Sequence, residues 1–237
     1  MDIKNNPGTS QVISAAVSLG FAFAAGSSLA ATNYSETWSA GDTNGWIGNT
    51  TSTVVVRDAA VGNPAGSLAS RRDLSADPSF AIIGATTELA AASGSYLGSP
   101  AWTISFDVLY DLGAFTDALL RFRYQDGTFN GWVFDVENAF GAGWHHYSVS
   151  FQSNWTDVQA TANGWVQEAA SVPWQTLMSN VFHPEVRLLL GNDSAALAHI
   201  DNFTIQAIPE SSEYAMLLAG LGLVGLAAHR RKQKKVA

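Results

Sequence analysis

The sequence predicts an all-β chain, a β-sandwich of jelly-roll type, from three observations. Short apolar runs alternate with polar residues at a period of two. Gly-, Asn- and Pro-rich turns separate them, and no long helical period occurs between Ala31 and Ala207. The chain of 237 residues is long enough for one sizeable core, and its many Trp and Phe can fill it.

The strands follow in order. Thr53 to Arg57 is a short β-rich run. Trp102, Ile104, Phe106, Val108 and Tyr110 alternate with Thr103, Ser105, Asp107 and Leu109, so one face is buried. Leu120, Phe122 and Tyr124 alternate with Arg121 and Arg123. Trp132, Phe134 and Val136 alternate with Val133, Asp135 and Glu137. Tyr147, Val149 and Phe151 follow, then Val186, Leu188 and Leu190. Gln125-Asp126-Gly127 reads as a hairpin turn, and Gly62 to Gly66 as a loop. Trp174 to Asn180 is long enough for one or two helical turns. In the last strand Phe203 and Ile205 share a parity that Ile200 lacks. A bulge at Asp201-Asn202 brings all three to the core side and re-aims the Asp201 carboxylate.

Charge is segregated. The segment from Ala31 to Ala207 carries 6 Arg, no Lys and 17 Asp or Glu, a net charge of −11. That surface repels phosphate backbones, so nucleic acid is not an expected partner. With no Cys there are no disulfides, thiolate zinc sites or Cys nucleophiles.

Both ends read as addresses. One basic residue, Lys4, precedes an apolar run from Val12 to Ala25, and small residues at Ser28 and Ala30 form a cleavage site. Residues 1–30 are therefore expected to be a secretory signal peptide with a helical apolar region. At the other end Pro209, Glu210 and Ser211 precede the apolar run Tyr214 to Ala228. Its 15 residues span roughly 22 Å as a helix, short of the ~30 Å hydrocarbon core. The basic tail Arg230, Arg231, Lys232, Lys234 and Lys235 favours a transmembrane helix with that tail held inside.

The 208–237 segment resembles the PEP-CTERM sorting signal of Gram-negative bacteria. Pro209 and Glu210 match its motif, and Ser211 stands where the second proline is expected. The resemblance implies an exported protein, anchored for a time in the inner membrane and processed by an exosortase-type enzyme. It then reaches the cell surface or the extracellular space, in a setting of exopolysaccharide and biofilm. The body 31–207 resembles jelly rolls related to laminin IV (laminin B) domains and carbohydrate-binding modules. Glu36-Thr37-Trp38, Asn44-Gly45-Trp46, Gly62 to Gly66, Trp144 to Tyr147 and His199 to Phe203 carry that likeness. It implies a structural Ca²⁺ between the first and last strands, held by Glu36 and Asp201 with backbone carbonyls. The alternative is that Asp201 only accepts backbone N–H groups at its bulge. No organic cofactor is implied.

Catalytic signatures are absent. There is no G-x-S-x-G, no H-E-x-x-H and no phosphate-binding glycine loop. His145 and His146 are neighbours on a strand and point to opposite faces, so they cannot readily share an ion. Trp132, Trp144, Trp155, Trp165 and Trp174 are candidate sugar platforms. Trp155 and Trp165 are the strongest, because the polar stretch Ser153 to Glu168 reads as a loop. The expected function is non-enzymatic: an exported surface or matrix protein associated with exopolysaccharide. A dedicated carbohydrate-binding module is the first rival, and an enzyme acting on polysaccharide the second.

Overall fold

Period-two alternation produces twelve strands among the described residues. The computed structural model describes residues 30–76, 81–124, 130–137, 139–168, 172–209 and 221. In chain order the first strands are β1 (Tyr34–Glu36), β2 (Trp46–Gly48), β3 (Thr53–Asp58), β4 (Ser67–Arg72) and β5 (Ile82–Thr87). The long strands β6 (Ala101–Leu112), β7 (Phe115–Tyr124), β8 (Gly131–Glu137) and β9 (Trp144–Gln152) follow. Helix α1 (Asp157–Ala162), β10 (Trp165–Gln167) and helix α2 (Trp174–Ser179) lead to β11 (Val181–Leu190) and β12 (Leu197–Ala207).

Two antiparallel sheets form a sandwich. The first runs β3-β4-β12-β6-β9, with β1 also paired to β12. The second runs β10-β8-β7-β11-β5-β2. Strand partners are mostly distant in sequence, so the fold depends on non-local closure. The inward parities are those expected: Trp102, Ile104, Phe106 and Val108 from β6 meet Leu120, Phe122, Val186 and Leu188 across the core. Aromatic edges tighten it, as where Trp46 meets Phe203 at 4.7 Å between ring centroids.

The last strand carries the expected bulge. The β12–β6 register shifts between Asp201 and Thr204, with Asn202 at φ +50°. Ile200, Phe203 and Ile205 are all fully buried as a result.

The stretch Ser153 to Glu168 is not the open loop expected. Thr156 caps α1, and Gln159 returns the bond to the Thr156 N–H, a complete capping box. Trp165 then enters β10 opposite Phe134 and is fully buried.

Most residues of the expected signal peptide (1–30) and sorting segment (208–237) lie outside the described residues, including Glu210, Ser211 and the basic tail. Pro209 is described and exposed. Among the described residues no helix is long and apolar enough to cross a membrane.

Candidate functional site

The outer face of the second sheet carries the densest polar chemistry. On β7, Leu120 and Phe122 turn inward, so Arg121 and Arg123 turn outward. On β11, Val186 and Leu188 turn inward, so His183, Glu185 and Arg187 turn outward. The register sets Arg121 opposite Glu185 and Arg123 opposite His183. These side chains are not solvated: Arg121 and Glu185 are each 2% exposed.

Arg121 is the hub. Its Nε lies 3.0 and 2.9 Å from the two carboxylate oxygens of Glu168, and its Nη2 lies 2.7 Å from Oε2. Its Nη1 donates to Glu185 Oε2 at 3.0 Å. Burial opposes the Arg121 charge, but Glu185 and Glu168 outweigh burial and its pKa is raised. The Asn49 amide donates to the other Glu185 oxygen at 2.9 Å. That reach needs Gly84 (φ +143°), where a Cβ would run into the Val186 carbonyl oxygen and the Asn49 side chain.

Arg187 is placed differently. Its Nη1 is 3.7 Å from Glu168 and its Nε 4.0 Å from Glu185, beyond hydrogen-bond reach. The Nε is buried without an acceptor. Burial lowers the Arg187 pKa, with Glu185 only partly opposing it and Arg121 adding to it. His183 is pushed down to about 3, first by burial and then by Arg123 and Arg121, so it is neutral at pH 7. Together with the segment Asn49 to Thr51 and Ile82, these arginines and Glu185 enclose a cavity of about 210 Å³.

The expected ion site lies on the first sheet. Asp201 is fully buried; its Oδ2 accepts from the Asn63 N–H and its Oδ1 from the Asn202 N–H, both at 2.7 Å. The backbone bonding expected at the bulge is therefore present. Glu36 Oε1 accepts from the Thr37 and Trp38 N–H groups at 3.0 and 2.8 Å. Burial raises the Asp201 pKa, and the Asp107 and Glu36 charges add to it. A buried carboxylate surrounded by negative charge fits a hard cation. Among the described residues no cluster of three or more His, Asp or Glu side chains has the geometry of a metal site, so backbone carbonyls would have to complete the shell.

The tryptophans divide. Trp165 does not form a sugar platform: it stacks on Phe122 at 5.3 Å and 10° and meets Trp174 at 4.9 Å, all inside the core. Its alternation partner Val166 faces out instead. Trp155 is half-buried, its ring 6.0 Å from that of Trp174. A shallow hollow of about 360 Å³, lined by Asp157, Pro173 and Gln175 among others, lies just after it in the chain. Neither Trp lines the arginine cavity. His146 pairs with Asp107 at 2.6 Å on the outer face, while His145 contacts Tyr110 near the opposite one.

The arginine cavity went unnoticed in the sequence, because outward charges on a strand ordinarily meet water. One signal was available: every basic residue of the body is Arg, and three of the six sit on two strands.

No protein-family model matches the chain, and no curated protein matches it. Solved structures with a similar course include an exo-β-agarase, at 12% identity and TM-score 0.48, over 70% of this chain and 23% of that one. The chain thus spans about a quarter of that enzyme's length. The CBM22-1 xylan-binding domain of Paenibacillus barcinonensis Xyn10C is similar at 16% identity and TM-score 0.44, over 75% of this chain and 95% of that domain. A family 11 carbohydrate-binding module of Clostridium thermocellum, in complex with a β-1,3-1,4-mixed-linked tetrasaccharide, is similar at 12% identity and TM-score 0.44, over 76% and 98%.

Proposed function

We propose that this chain is a non-catalytic glycan-binding β-sandwich whose ligand occupies the cavity on the outer face of the second sheet. One observation carries the reading: donors and acceptors from β7, β11 and the segment Asn49 to Thr51 converge on a cavity of about 210 Å³. Sugar hydroxyls donate and accept at once. The Asn49 amide, the Thr50 and Thr51 hydroxyls, the Glu185 carboxylate and the arginines offer both partners. Strand backbones and the Arg121 hub hold these groups in place, which limits the ordering cost of binding. Both carboxylates are bonded to Arg121, an arrangement that serves positioning rather than proton transfer.

The proposal keeps the export reading. A signal peptide, a PEP-CTERM-like sorting segment processed by an exosortase-type enzyme, and display at the cell surface near exopolysaccharide follow from the two end sequences. A structural Ca²⁺ held by Glu36 and Asp201 belongs to the same reading. A glycan array probed with the full-length chain, beside its Asn49→Ala variant, tests the ligand. Binding to a defined glycan that weakens in the variant is expected, and no binding to any glycan would overturn the reading. Mass spectrometry of the extracellular fraction tests sorting: an intact C-terminus there would overturn processing.

A further inference from the structure

The cavity is closed on both flanks across the sheet. On the β5 side the segment Asn49 to Thr51 and Ile82 form its wall. That wall is pinned. The Asn49 amide donates to the Ile83 carbonyl at 3.3 Å as well as to Glu185 at 2.9 Å. The Thr53 hydroxyl donates to Asn49 Oδ1 at 3.2 Å and lies 2.8 Å from the Thr50 hydroxyl. On the β8 side Glu168 folds back over Gly131, where a Cβ would come within 3.1 Å of its carboxylate. The Glu168 N–H donates to the Gly131 carbonyl at 3.1 Å, and its carboxylate is held by Arg121.

A polysaccharide bound in mid-chain must both enter and leave its site, so it needs a cleft open at two ends. Parting the Asn49 wall to make one would leave the Asn49 amide and a Glu185 oxygen unpaired, which is costly in a buried place. The space points the same way. An apolar cavity of about 150 Å³ takes one benzene ring. About 210 Å³ therefore takes one six-membered ring with its hydroxyls, without room for a second. Sites for larger ligands run from about 300 to 1,000 Å³.

We propose that the cavity takes a single sugar unit end-on, the terminal unit of a chain or a free monosaccharide, and not an internal stretch of polymer. This rests on the glycan-binding reading above. The two sources offer the same ring and hydroxyls, and the dependence of binding on chain length separates them.

Ligand-observed NMR titration of the full-length chain with four pairs tests the inference: D-xylose and xylotetraose, D-glucose and cellotetraose, D-galactose and β-1,4-galactotetraose, and D-mannose and mannotetraose. For the sugar that binds, the Kd of the tetrasaccharide is expected to lie within about threefold of that of its monosaccharide, because the added units find no further contacts. Such equality assigns a chain end. A monosaccharide that binds while its tetrasaccharide does not assigns the free sugar. A tetrasaccharide that binds more than about threefold tighter, or binds when its monosaccharide does not, overturns the inference and leaves glycan binding standing. Binding of none of the four pairs, together with a blank glycan array, overturns the glycan reading itself.

Discussion

Two buried carboxylates, one on the outer side of each sheet, have opposite surroundings. Glu185 is bonded to Arg121 and Asn49, with Arg187 nearby. Asp201 accepts only backbone N–H groups and stands near Asp107 and Glu36. The first region contains its own cations. The second contains none among the side chains that act on Asp201, whose two oxygens are met by backbone N–H groups instead. The difference teaches that burial alone does not define a site. The sign of the neighbouring charge separates them: guanidinium groups stand beside Glu185, and carboxylates stand beside Asp201.

The largest expected break is Arg121→Met. It strands Glu185 in a buried position and removes the partner of Glu168, at a cost of about 3–5 kcal/mol in urea unfolding. A loss below about 1 kcal/mol would show that the cluster is solvated and the contrast false.

Calcium sharpens the other side. At a hundredfold excess over its Kd, Ca²⁺ should stabilise the fold by about 2.7 kcal/mol, read as a rise in Tm that EDTA reverses. Asp201→Asn should abolish that rise. In EDTA the raised Asp201 pKa disfavours the folded state at neutral pH, and this penalty fades as pH falls through the folded value. An unchanged Tm on adding Ca²⁺ would remove the metal from the comparison.

His183 tests the burial of the face that carries Arg121 and Arg123. Its folded pKa of about 3 lies below the unfolded value of 6.5, so protonation favours the unfolded chain. Its contribution is fully present above pH 6.5 and is lost as pH falls toward 3. Between pH 7 and pH 5 the loss should be about 2 kcal/mol, and His183→Gln should remove that part of the pH dependence. Identical pH profiles for the two proteins would mean that burial and the neighbouring arginines do not hold His183 neutral.

Asn49→Ala should have the smallest effect, about 1 kcal/mol, since Glu185 keeps Arg121 when the amide is lost. A loss as large as that of Arg121→Met would make Asn49 the organising residue instead.

The strand pattern was legible because a pleated strand exposes alternate residues to opposite sides, whatever its partners. Trp102, Phe106, Phe122 and Phe151 were readable as core on that ground alone, and the bulge at Asp201-Asn202 as a break in parity. The short pieces were less legible. Strands β1, β2 and β10 have three residues each, too few for a periodic signal. Trp165 was misread for that reason: polar neighbours marked a loop, although Thr156-x-x-Gln159 already signalled a helix start just before it.

By itself, then, the sequence determined which residues of each long strand face together, because alternation is a local property of the extended backbone. That placed Arg121 with Arg123, and Glu185 with Arg187, on outward faces. Only the tertiary structure decided that this outward face is closed. The pairing of β7 with β11, the reach of Asn49 across Gly84 and the approach of Glu168 join segments far apart in the chain. Charge balance in a cavity is a sum over all of them, and no single segment carries it.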